Sequence, residues 1–126
     1  MYSIACLGKK VKRFYKKNSK IIDKKYYILY GKNMEQADRI FEWDNDKNER
    51  NKQLHGISFE NAALVFNDRN RIELFDENHS DTEDRMITIG KVDKVLFVVY
   101  TERGDITRII SARHAEKKER RLYGSY

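Results

Sequence analysis

Arginine is the residue type through which this chain can do chemistry. Ile106 to Ala112 alternates like a strand, so Thr107, Ile109, Ser111 and Arg113 are expected to point one way and Ile106, Arg108, Ile110 and Ala112 the other. Each face then carries one guanidinium among apolar neighbours, and a guanidinium in that setting needs an anion, either a carboxylate of the chain or a phosphate. Arg85 enters a neighbouring strand on the side of Ile87 and Ile89. The structural reading pairs Arg85, Arg108 and Arg113 with Glu83, Glu102 and Glu119; the functional reading gives them a phosphate. Other chemistries find no support. His55, His79 and His114 have no i,i+4 partner and no acidic neighbours at ligand spacing, so no metal site is expected. The glycines form no phosphate-cradling loop, and no serine sits in a nucleophile elbow. No cofactor is expected.

Local signals place the elements that carry these residues. Ile40, Phe41 and Trp43 read as a short extended segment, and Asp44 as the N-cap of a helix running to about His55. Gly56 suits the left-handed residue that ends it. Ser58 caps a second helix in which Phe59, Ala62, Ala63 and Phe66 make an apolar stripe. The period then changes to two. Arg71–Phe75 and Met86–Gly90 read as strands around a polar loop, Val95–Tyr100 as a buried strand, and Ile106–Ala112 as a strand after the Arg103-Gly104-Asp105 turn. Arg113 to Tyr123 reads as a helix with Ala115 and Leu122 inward and Glu116–Arg120 as an i,i+4 pair. The order predicts an α+β domain: a small antiparallel sheet of three to four strands, two N-terminal helices and a C-terminal helix.

Charge divides the chain. The 126 residues carry a formal charge of +6, yet residues 1–33 alone carry +9 and the remainder −3. Residues 1–33 therefore read as a basic N-terminal extension, poorly packed or not native, with Met34 the expected start of a domain over 34–126. Tyr26 to Tyr30 is a short strand or an aromatic patch. Within the domain, Arg71–Asp84 is acidic and Arg103–Arg121 basic, so the two segments offer complementary surfaces for an anion and a cationic partner. A mean hydropathy of −0.84 and the lack of any long apolar run exclude a membrane helix; no secretory signal is visible, and the lone Cys6 rules out a disulfide framework and fits a reducing compartment.

Taken in order, several blocks resemble the BrnT family of bacterial toxins. Phe41-Glu42-Trp43-Asp44, Lys47, Asn51 and His55-Gly56-Ile57-Ser58-Phe59-Glu60-Asn61-Ala62 look like its opening. Val65-Phe66-Asn67-Asp68, Glu83-Asp84-Arg85, Tyr100-Thr101-Glu102-Arg103-Gly104, Arg108-Ile109-Ile110-Ser111-Ala112-Arg113 and Glu119-Arg120-Arg121 with Tyr123 continue it. The resemblance spans about Phe41 to Tyr123. It implies a RelE-like fold and a cytoplasmic toxin of a type II toxin–antitoxin pair, a ribonuclease that blocks translation. It also implies a cognate BrnA-type antitoxin that neutralises the toxin in a hetero-oligomer and carries the contact with promoter DNA. One departure is Leu54, where the family usually has lysine; Lys52 is its possible substitute as an RNA contact.

Metal-independent cleavage of RNA needs a base for the 2′-OH, a cation for the pentavalent phosphate and an acid for the 5′-oxygen. Arginine suits the second task. Arg113, Arg85 and Arg108 are expected to gather at one corner, with Arg113 beside the N-terminus of the last helix. His55 suits proton transfer or is a helix-end residue, and Glu102 is a base or a partner of Arg108. Tyr100 stacks on a base or fills the core; Tyr123, Arg103, Arg120, Arg121 and Lys52 are the remaining candidate RNA contacts. The competing functions are a non-catalytic nucleic-acid-binding or regulatory module and an inactive toxin that only binds its antitoxin.

Overall fold

The computed structural model describes strands β1 (Tyr2–Cys6), β2 (Val11–Tyr15) and β3 (Lys25–Tyr30), and then residues 37–124 continuously. The continuous part opens with β4 (Ala37–Glu42). The Asp44 carboxylate then accepts from the backbone N–H groups of Asp46 (2.8 Å) and Lys47 (3.1 Å) and starts α1 (Asn45–His55). Gly56, at φ 72°, ends it in the left-handed conformation that a side chain would disfavour. Ser58 Oγ accepts from Asn61 N (3.0 Å) and starts α2 (Phe59–Ala63), which tightens into a 3-10 turn over Leu64–Asn67. These local signals lie where the sequence puts them.

Helix α1 has almost no apolar residue, and its Leu54 is 77% exposed. Two buried asparagines dock it instead. Asn51 Nδ2 donates to the carbonyls of Ala112 (2.7 Å) and Ile57 (3.0 Å), while its Oδ1 accepts from Ala112 N (3.2 Å). Asn48 Oδ1 accepts from Phe59 N (2.8 Å), and its Nδ2 donates to Glu60 (2.7 Å). The side-chain amides thus satisfy backbone groups that would otherwise be buried without partners.

The remaining strands are β5 (Ile72–Phe75), β6 (Met86–Val92), β7 (Lys94–Arg103) and β8 (Ile106–His114), followed by α3 (Lys117–Gly124). The sheet order is β1-β2-β3-β4-β8-β7-β6-β5. The fold is α+β, but the sheet is mixed where an antiparallel one of three to four strands was expected. Five of its strands come from the continuous part, and β4 lies parallel to β8 through Ile40↔Ile106, Phe41↔Thr107 and Glu42↔Arg108. Parallel neighbours require a long crossover, which α1, α2 and the β5–β7 meander supply; alternation along a strand reports its faces and not its neighbour. The pairing of β3 with β4 includes Tyr27↔Phe41 and Ile28↔Ile40, so Tyr26 to Tyr30 lies in a strand. How tightly side chains of residues 1–33 pack lies outside the described residues.

The core forms between α1, α2, the 3-10 turn and one face of the sheet, from Phe41, Trp43, Ile57, Phe59, Val65, Leu96, Val98, Ile109 and Ala112. Gly90 lets the 3-10 turn approach β6, since a Cβ there would meet Val65 Cγ1 at 2.6 Å. Helix α3 docks on the other face. It starts at Lys117 and not at Arg113, because β8 runs on to His114. Ala115 is buried as expected, whereas Leu122 points outward at 42% exposure.

A bulge corrects the face assignment of β8. Val99 pairs with Ser111 and Tyr100 with Ile109, leaving Ile110 as an extra residue. The insertion flips the alternation beyond it. Arg113, opposite Phe97, therefore shares a face with Arg108, opposite Thr101, because Phe97 and Thr101 are four residues apart on β7.

Candidate functional site

The face opposite the core gathers guanidiniums on one rung. Arg108 pairs with Thr101 across β7–β8 and with Glu42 across β4–β8. Arg85 immediately precedes Met86, the partner of Tyr100, so it falls on the same rung, and alternation puts it on the side of Ile87. Thr101 Oγ1 donates to the Asp84 carbonyl (2.7 Å) and ties the loop before Arg85 to this rung. Arg103, two residues further along β7, donates through Nε and Nη2 to the Glu83 carboxylate, both at 3.3 Å. The buried Glu42 carboxylate (2% exposed) lies 3.7 Å from Arg108 Nη1 and 3.9 Å from Arg103 Nη1. Arg103 and Arg108 thus face Glu42 and Glu83, the Asp44 charge acts on Arg108 from further away, and among the described residues Arg85 has no carboxylate within ion-pair distance.

Arg113 is not part of this rung. Four residues of β7 separate its partner Phe97 from Thr101, about 13 Å along the strand. Its guanidinium forms a two-pronged pair with Glu119 of α3 (2.7 and 2.8 Å) and lies 3.9 Å above the Phe97 ring. The expected corner of Arg85, Arg108 and Arg113 is therefore split, with Arg113 taking the structural reading. The pair shifts both groups. Burial tends to raise the Glu119 carboxyl, but the Arg113 fork and the Glu116 N–H outweigh it and hold it below its usual range.

The core side of the sheet carries a separate polar network. Tyr100 is 2% exposed, its hydroxyl donating to Glu73 Oε1 (3.0 Å) and its ring edge-on to Phe66 at 5.0 Å. Burial, then the nearby Glu73 charge, push its phenol well above the usual range. Tyr100 fills the core; it is not placed to stack on a base. Glu102 likewise departs from its expected partner: it accepts from Arg39 (2.7 Å) and Thr107 (3.2 Å), away from Arg108. Arg71 pairs with Glu73, and the guanidiniums of Arg39 and Arg71 lie 4.6 and 5.1 Å from the Phe66 centroid.

The other candidates scatter. His55 ends α1 on the core side, away from the arginine rung. Lys52 is held by Glu49 (3.0 Å). Arg120 donates to the Ala115 carbonyl (2.6 Å) instead of pairing with Glu116, and Arg121 is exposed on α3. Tyr123 donates to Asp68 Oδ2 (2.6 Å), and that bond, with some burial, pushes its phenol up to about 12. Glu42, Arg39 and the Arg71–Glu73 pair had been missed as members of polar clusters. The last pair was visible as i,i+2 opposite charges in a period-two stretch.

Among the described residues no three His, Cys, Asp or Glu side chains gather as a metal site, and no helix is long and apolar enough to cross a membrane. A search of curated proteins finds no match. The model of the ribonuclease toxin BrnT, of type II toxin–antitoxin systems, matches residues 43–119, well over half of the chain and including every arginine of the rung. A match of that extent shows the family: this chain belongs to the BrnT ribonuclease toxins of type II toxin–antitoxin systems.

Proposed function

We propose that the chain is a metal-independent endoribonuclease whose scissile phosphate binds at the rung of Arg85, Arg103 and Arg108. The observation that carries this reading is that Arg85, on the rung of Arg108, has no carboxylate within ion-pair distance among the described residues. A phosphate supplies the missing negative charge, and its pentavalent state supplies more, so the interaction strengthens as the reaction proceeds. Glu83, with 34% of its side chain exposed, is the more accessible carboxylate of the rung and takes the proton of the 2′-OH. The 2′-oxygen attacks phosphorus, the bond to the 5′-oxygen breaks, and that oxygen takes a proton from water. Glu102 has no part in this, being engaged across the sheet with Arg39.

The family implies an antitoxin partner. We read it as a BrnA-type protein that covers the cationic face, competes with RNA and alone carries the promoter-DNA contact. The toxin then acts in the cytoplasm by cleaving RNA needed for translation, on a RelE-like scaffold. Residues 34–126 form the toxin unit, since the family match starts at 43; a chain beginning at Met34 is expected to keep cleavage. The alternative, an inactive toxin that only binds its antitoxin, is favoured by the exposed Leu54 at the position where lysine is usual.

Arg85→Ala tests the reading. Without a carboxylate partner to lose, it should change stability by less than about 0.5 kcal/mol. Cleavage of a single-stranded RNA should fall by about 100-fold or more. Undiminished cleavage by the folded variant sinks the assignment, and no cleavage by the parent chain on any RNA tried supports the inactive alternative.

A further inference from the structure

At the far end of the sheet, seven residues of β7 and about 23 Å from the Thr101 rung, lies a hollow. It encloses about 440 Å³ between the β6–β7 turn, the end of β8 and α3, and is lined by Lys91, Asp93, Lys94, Val95, His114, Ala115 and Arg120. The Ala115 N–H donates to the Val95 carbonyl (3.0 Å), and these two residues are the apolar members of the lining. Around it stand cations from three elements: Lys91 on β6, Lys94 on β7 and Arg120 on α3, with His114 from β8 as a further ring donor. Arg120 is oriented by its bond to the Ala115 carbonyl (2.6 Å). The only carboxylate in the lining is Asp93, at the turn with φ 60°. Among the described residues no carboxylate lies within ion-pair distance of Lys91, Lys94 or Arg120.

We infer that this hollow is a phosphate-binding site, separate from the arginine rung. The argument is one of number and direction. A carboxylate offers two oxygens in one plane and is matched by a single guanidinium fork, as Glu119 is by Arg113. A phosphate offers three oxygens splayed in space and accepts at once from cations that approach from different elements, which is the arrangement here. The phosphate belongs either to a small free anion or to a nucleic-acid strand that continues past the rung.

The test uses the full chain and two probes, pyrophosphate alone and a single-stranded DNA oligonucleotide, which lacks the 2′-OH and is not cleaved. Pyrophosphate should shift the backbone amide resonances of residues 91–95 and of Ala115, and Lys91→Ala with Lys94→Ala should weaken its binding at least tenfold with an unchanged melting temperature. If the ligand is a strand, the double variant also lowers the salt dependence of oligonucleotide binding by about 1.4 in log–log slope, about 0.7 per lysine. Loss of pyrophosphate binding with an unaltered slope assigns the site to a free anion. Two results overturn the inference: no shift at these amides with millimolar pyrophosphate, or hexaglutamate binding there as tightly as pyrophosphate, which would make the hollow a dock for an acidic protein segment. The site stands apart from the cleavage reading: Arg85 is not in its lining, so Arg85→Ala should leave pyrophosphate binding unchanged.

Discussion

Arginines occupy both faces of one sheet, and the two faces treat them differently. On the core side, Arg39 and Arg71 each have a carboxylate, Glu102 and Glu73, and both guanidiniums lie against the Phe66 ring. Charge is matched one to one, and Thr107 and Tyr100 take the remaining carboxylate valence. On the opposite side, Arg103 and Arg108 share Glu42 and Glu83, and Arg85 has neither within ion-pair distance. The contrast teaches that an arginine in a strand does not by itself mark an anion site. What marks one is an arginine left without a carboxylate, as Arg85 is among the described residues.

That contrast is broken most directly by exchanging the deletion between faces. Arg108→Ala should slow RNA cleavage by about 100-fold to 1,000-fold, the scale of one lost donor to a developing anion. Arg39→Ala should lower the melting temperature while cleavage stays within about twofold, since it removes one member of a matched network. Equal losses of cleavage from both variants would erase the distinction. Next in size is Asn51→Ala, which strands the Ala112 N–H and carbonyl and the Ile57 carbonyl in the core. It should cost about 2–3 kcal/mol in denaturant unfolding. A cost near zero would mean that α1 is held by something other than its asparagines.

Much of the local structure was legible because its causes are local. Asp44, Gly56 and Ser58 act on backbone groups within four residues, so caps and helix limits could be read from neighbours. The docking of α1 could not, because Asn51 binds Ala112, sixty-one residues away, and a helix without an apolar stripe gives no face to read. The bulge at Ile110 was equally silent. Alternation assumes that no residue is inserted, and one insertion was enough to move Arg113 to Arg108's face. The site candidates followed suit: Arg85, Arg103 and Arg108 were visible as cations, but which faces and rungs they share depends on register, as does the withdrawal of Tyr100 and Glu102 into the core-side network.

The Arg113–Glu119 pair extends the comparison to the fourth arginine of the open face, one whose charge is matched. The Glu119 carboxyl, with 15% of its side chain exposed, is held below its ordinary value of 4.5 in the folded chain. Its contribution is therefore fully present above about pH 4.5 and is lost as pH falls through the lower folded value. Melting curves between pH 6 and pH 3 should show an acid-side loss of about 1 kcal/mol that disappears in Glu119→Gln. Cleavage at pH 7 should be little changed by that variant. A large loss of cleavage in the folded variant would return Arg113 to the catalytic set.

The smallest expected effect concerns the other tie of α3. Tyr123 donates to Asp68 Oδ2, which also accepts from Lys91 N (2.8 Å), while Asp68 Oδ1 accepts from Asn70 N (2.9 Å). Burial works to raise the Asp68 carboxyl, but these three donors and the nearby Arg71 charge hold it low. Tyr123→Phe removes one donor and leaves two backbone donors in place, so it should cost only about 0.5–1 kcal/mol. If Tyr123 instead serves to stack on RNA, phenylalanine keeps the ring and RNA binding is unaltered, whereas Tyr123→Ala weakens it by about 1–3 kcal/mol. The two substitutions together separate hydroxyl from ring. A structural tie responds to loss of the hydroxyl in melting, an RNA contact responds to loss of the ring in binding, and equal RNA affinity for all three proteins removes Tyr123 from the interface.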